Sequence, residues 1–146
     1  MPDGPVQTAP MRAPQVVITT WKGEQEFDAA KPGVASIHMD SHGKKGPGPM
    51  ETLLGALAAC AATDVVEILA KRRTPARTLE VETIASRVES TPRRLEHVLM
   101  IFRIAGAGIE RVHAERAVEL SVNKYCSVRS SLDPVIAVQW RLELSA

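Results

Sequence analysis

Cysteine occurs twice in this chain of 146 residues, at Cys60 and Cys126. Residue type alone leaves two readings of the pair. Free cysteine is among the most buried residue types, so both can be small core side chains. Alternatively they form a redox couple, in which a thiolate attacks an oxidant, becomes a sulfenic acid and condenses with a second thiol. Their separation in sequence says nothing about their separation in space. A zinc site is not expected: His38, His42, His97 and His113 are scattered and do not stand with the cysteines at metal-ligand spacing. Gly43, Gly46 and Gly48 do not match a dinucleotide-binding pattern, and no nucleophile elbow is present. No cofactor and no metal are therefore expected.

The elements that must position these thiols are legible from the apolar patterning. Residues 15–21 (QVVITTW) read as a β-branched strand, 25–28 as a returning strand and 34–40 as a third. Residues 41–49, with three glycines and two prolines, are the strongest loop signal in the chain. Pro49 suits a first helical turn and Glu51 suits the positive end of a helix dipole. The stretch 53–62, LLGALAACAA, has no charged residue, so the helix bearing Cys60 is expected to be buried all round, with Pro75 as its stop. Strands over 78–89 and 97–105, a weakly amphipathic helix over 110–124, a short helix over 125–132 and an alternating strand over 135–144 complete the order β-β-β-α-β-β-α-(α)-β. Strands and helices do not alternate regularly, which predicts an α+β fold. Six short strands leave part of the apolar helix to be covered by a second copy, so a two-fold homodimer is expected.

Composition narrows the function classes. The length suits one domain, read as 15–146 behind a flexible tail over 1–14. That tail carries four prolines and no apolar segment, unlike a signal peptide. A cytoplasmic location follows, where a permanent structural disulfide is not expected. A net charge of +1 excludes broad attraction to nucleic acid or to an anionic membrane. No unbroken apolar run reaches the ~18 residues of a membrane span.

Three stretches resemble the OsmC/Ohr family, and more closely its OsmC-like branch: Pro49-Met50-Glu51-Thr52-Leu53-Leu54, Ala59-Cys60-Ala61 with Asp64-Val65-Val66 after it, and Lys124-Tyr125-Cys126-Ser127-Val128. The resemblance covers roughly 15–146. It implies an intertwined α+β homodimer with two central buried helices and active sites at the dimer interface. It also implies reduction of hydroperoxides, especially organic ones, with Cys60 attacking, Cys126 resolving and an external dithiol restoring both thiols.

The chain departs from the peroxidase pattern at two places. Family enzymes hold an arginine near the attacking cysteine with a glutamate that directly follows the helix-opening proline. Here Met50 follows the proline and Glu51 comes one residue later. No arginine occurs between Arg12 and Arg72, and Asp40 lies near the position where one would stand. Cations that could substitute are Lys44, Lys45, His38, His42 and Arg129. The leading expectation is a thiol-dependent reductase of small organic hydroperoxides in the oxidative-stress response. A non-enzymatic binding protein for an apolar ligand and a redox sensor are the rival readings on the same fold.

Overall fold

The computed structural model describes residues 12–146, so most of the expected tail over 1–14 lies outside the described residues. The chain forms two compact units, one ending at Pro49 and one running from Met50 to Ala146.

The first unit is a three-stranded antiparallel meander of β1 (Ile18–Gly23), β2 (Glu26–Ala30) and β3 (Ile37–Asp40). Trp21 pairs with Phe27, after which the register slips at Gly23. Gly23 has φ +106°, a conformation that a Cβ would strain. This small sheet buries little: Val16, Val17, Ile18, Trp21, Val34 and Ile37 are all exposed, and Ala29 is its buried apolar residue.

The second unit holds the core. Helix α1 spans Pro49–Lys71. It ends before Pro75, in a turn where Arg73 takes the left-handed conformation (φ +62°) and the amides of Arg73 and Thr74 donate to the carbonyls of Ala70 and Leu69. That pairing satisfies last-turn carbonyls that would otherwise be orphaned. Strand β4 (Thr78–Arg87) pairs antiparallel with β5 (Leu95–Ala105), and β5 pairs parallel with β6 (Ala137–Ser145). The parallel pair needs a long crossover, supplied by α2 (Arg111–Leu120), a π-helical turn over Ser121–Tyr125 and α3 (Ser127–Ser131).

Register explains which side chains meet. Val81, Phe102 and Leu142 stand opposite one another across the sheet, as do Leu79, Ile104 and Leu144. These rows join Leu57, Ala61, Val65 and Leu69 of α1 and Ala114, Ala117 and Val118 of α2 in one apolar cluster. On the opposite sheet face Arg103 is gripped by Glu80 and Glu82 of β4 and Glu143 of β6.

The expected order of six strands and three helical segments is the observed one, and the fold is α+β. Two expectations change. The π turn interrupts what reads in sequence as one helix over 110–124. The cysteine helix is also not buried on every side within the chain: Leu57, Ala58, Ala61, Val65 and Leu69 are buried, whereas Gly55, Ala56, Ala59, Val66 and Ala70 are exposed. One sheet covers one helical face and no more. With Asp64, Glu67 and the terminal Lys71 its charges beyond the first turn, α1 is long and apolar enough to cross a membrane by length and composition alone. Its buried face marks it instead as a core helix.

Phe102 is fully buried at the centre of the middle strand. Phe102→Ala should destabilise the fold by about 3–5 kcal/mol, read as a lowered urea midpoint with unchanged slope.

Candidate redox site

Cys60 lies about three turns into α1, half-buried, and Cys126 lies between the π turn and α3, buried. The structure brings the two side chains near one another: the Cys60 thiol is close enough to Cys126 to influence its pKa. Cys126 has two further contacts. Its sulfur accepts the Arg129 backbone amide at 3.3 Å, which makes it the cap of α3, and it faces the Leu57 carbonyl at 3.9 Å. The Leu57 carbonyl stands three residues before Cys60 on the same helix. Cys126 is thus held against the turn of α1 that carries the other thiol.

Local sequence accounts for this placement. The backbone amide of Ser121 still bonds the Ala117 and Val118 carbonyls as the end of α2, and the chain widens into the π turn over Ser121–Tyr125. Single π turns of this kind recur at functional sites. The Ser121 hydroxyl is buried without a hydrogen-bond partner, a cost consistent with a turn set by packing rather than by propensity. After the turn the chain straightens at Cys126 (φ −70°, ψ 106°) before α3 begins.

Burial pushes the Cys126 thiol pKa up. The Arg129 amide opposes this, and the neighbouring Cys60 thiol adds to it. Cys126 therefore tends to keep its proton at neutral pH. A protonated thiol beside Cys60 can donate to a developing charge there, whereas an ionised one would repel it.

Three of the five candidate cations, Arg129, Lys45 and His38, are already engaged. The Arg129 guanidinium donates to the Asp133 and Ile136 carbonyls at 3.3 and 3.0 Å. Lys44, Lys45 and His42 belong to the first unit, in the loop between β3 and α1. Lys45 approaches Glu26 at 3.5 Å. His38 bonds Asp28 through Nδ1 and Glu26 through Nε2, so both ring nitrogens are used in holding β2 to β3. Glu51 stands in the first turn of α1, as expected. No group of three or more histidine, cysteine or acidic residues among the described residues is arranged to hold a metal.

Asp40, near the expected place of the family arginine, has a structural role. Its carboxylate accepts the backbone amides of His42, Lys44 and Lys45 at 2.9, 3.2 and 3.1 Å. The His42 amide leads in lowering its pKa, against the opposing effect of burial. Gly46 follows where a Cβ would lie 2.8 Å from the His38 carbonyl oxygen, so the loop folds back tightly on β3. Sequence reasoning missed this clamp. The signal was present in an aspartate followed by a glycine three residues on, a local pattern in which the side chain bonds the backbone ahead of it. The π turn and the Leu57 carbonyl had no such signal.

The comparisons with known proteins agree with the fold. The model of the OsmC family, described as OsmC-like protein, matches residues 41–141, and the chain belongs to that family. Protein YhfA of Escherichia coli K12 is 38% identical over 111 residues, spanning 75% of this chain and 83% of its own length. Among solved structures, a hypothetical protein from Aquifex aeolicus is similar with a TM-score of 0.78 and 26% identity, covering 92% of this chain and 100% of that one. The organic hydroperoxide resistance protein OhrB of Bacillus subtilis has a TM-score of 0.60 and 14% identity, covering 89% and 98%. At that identity the likeness to OhrB is one of fold alone.

Two predictions follow the polar clamps. Asp40→Ala should expose the amides of His42, Lys44 and Lys45 and speed their hydrogen exchange by about tenfold or more, consistent with loss of local protection. The two carboxylates raise the His38 pKa, with the Asp28 hydrogen bond the larger influence and Glu26 second. The stability His38 contributes should then be complete below its unfolded value of about 6.5 and fade as pH rises through the higher folded value. An NMR titration in which His38 ionises below that unfolded value would refute this.

Proposed function

We propose that this protein is a thiol-dependent reductase of organic hydroperoxides, in which Cys60 attacks and Cys126 resolves. The observation that supports it is the proximity of the two thiols, with the Cys126 pKa raised by burial. Attack falls to Cys60 by the family resemblance. Its sulfur would bond the distal peroxide oxygen as the O–O bond breaks, the alcohol leaving with a proton and Cys60 becoming a sulfenic acid. Cys126 would next attack that sulfur, giving up its proton as water leaves and a disulfide forms. An external thiol reductant closes the cycle by two exchange steps. Small organic substrates are favoured because alanine and leucine side chains surround Cys60 on α1.

The catalytic form would be a homodimer in the cytoplasm. The exposed Ala56, Ala59, Val66 and Ala70 face of α1 supports the dimer: it is an apolar surface on the helix that carries Cys60. The thiol pair also suits a redox sensor, and the engagement of the Arg129 guanidinium with carbonyls favours slow chemistry of that kind. Peroxide titration separates the two, since a sensor forms the disulfide once whereas an enzyme turns over.

Purified protein with cumene hydroperoxide and dithiothreitol should consume peroxide catalytically, and Cys60→Ser should not. Cys126→Ser should accumulate a sulfenic acid detectable by a dimedone adduct. Consumption by the unmodified protein no faster than by Cys60→Ser would defeat the proposal.

A further inference from the structure

Cys126 neighbours Cys60 at α1, and it also lines a depression to which that helix contributes no residue. A depression of about 350 Å³ is bordered by Val122, Asn123, Lys124, Cys126, Arg129, Ser130, Leu132 and Pro134. Every one of these residues comes from the π turn, α3 or the segment just after it, so no residue of the Cys60 helix contributes. The lining has two cationic side chains, Lys124 and Arg129, and no carboxylate. The nearest acid on α2, Glu119, is occupied: its two oxygens accept from Asn123 and Trp140 at 2.8 and 2.7 Å. Lys124 is exposed, its ammonium 5.6 Å from the Tyr125 ring centre.

We propose that this depression is the entry site of the reductant, that it selects small thiols bearing a carboxylate, and that they attack the Cys60–Cys126 disulfide at Cys126. The inference rests on the thiol-couple reading above and adds to it a place and a substrate class. In the first step the reductant thiolate bonds the Cys126 sulfur, and Cys60 leaves as a thiolate. A second thiol then attacks the reductant's sulfur in the mixed disulfide and expels Cys126, which takes a proton. Two thiols are oxidised to one disulfide and both protein thiols are restored.

Leaving-group chemistry points the same way as the cavity. Exchange is faster when the departing sulfur is the more acidic thiol. Burial makes Cys126 reluctant to carry charge, which disfavours Cys126 as the first leaving group. Lys124 and Arg129 would meanwhile draw an anionic thiol to the depression that Cys126 borders.

The test starts from protein oxidised with diamide, which installs the disulfide without any peroxide step. Absence of peroxidase activity would therefore defeat the proposed function and leave this measurement intact. Reduction rates are compared for mercaptoacetate, mercaptoethanol and cysteamine, which are anionic, neutral and cationic, in the native protein and in Lys124→Glu. At low salt the substitution should slow mercaptoacetate by about threefold or more, leave mercaptoethanol nearly unchanged and spare or speed cysteamine, as expected for charges several ångströms apart in a high-dielectric setting. Should the variant fold poorly, added salt on the native protein gives the same contrast, slowing mercaptoacetate relative to mercaptoethanol. Rapid alkylation should trap the mixed disulfide on Cys126. Equal responses of the three thiols, trapping on Cys60, or failure of diamide to join the two cysteines would each overturn the proposal.

Discussion

Close packing between α1 and the inner face of the β4-β5-β6 sheet is the constraint on which the second unit depends. Leu57, Val65 and Leu69 are almost fully buried there, with Val98, Met100, Phe102 and Ile104 from β5. Each such side chain contributes about 1.5–3 kcal/mol when removed from water. Between the larger residues stand Ala58 and Ala61, also buried in the cluster. The position of Cys60 follows from this packing, because the helix cannot rotate without exposing its leucines. The position of Cys126 follows from the other side of the same cluster, through Val122 and Ile136 on either flank.

Polar interactions act on this frame in two different ways. On the outer sheet face Arg103 answers three carboxylates, yet that cluster is open to solvent, where ion pairs are screened. It ties neighbouring strands in register more than it holds the fold together. Around Cys126 the same kinds of contact occur out of water, and there they decide protonation. One backbone amide and one carbonyl meet a sulfur that is a weak acceptor and a weak donor. Neither is strong enough to overcome the burial that keeps the proton in place.

Much of the architecture was legible in the chain because alternation and apolar periodicity are local signals. Strand β6 is an example: Ile136, Val138, Trp140, Leu142 and Leu144 read inward and Gln139, Arg141 and Glu143 outward, as the structure has them. Element ends were less legible. The cysteine helix reads as running to Pro75, yet it stops at Lys71 because Arg73 adopts a conformation more common for glycine. The π turn was hidden for a different reason. Widening a helix by one residue depends on how Ser121 and Val122 pack, and no residue type announces it. The family resemblance named both thiols, but periodicity could not have paired them, since their contact is made through a crossover of several elements. The carboxylate of Asp40 shows the opposite case, a polar residue whose role is local and which was read only as a missing arginine.

That carboxylate also has a meaning for what the β3–α1 loop can bind. Successive backbone amides converging in a turn form a concavity that in many proteins receives a phosphate or another anion. In this loop the anion is covalently part of the chain. A tethered ligand competes at an effective concentration set by its short tether rather than by the surrounding solution. Any free anion would have to displace an occupant that never diffuses away. The loop is therefore electrostatically self-contained at its backbone, and only its side chains remain to speak to the outside.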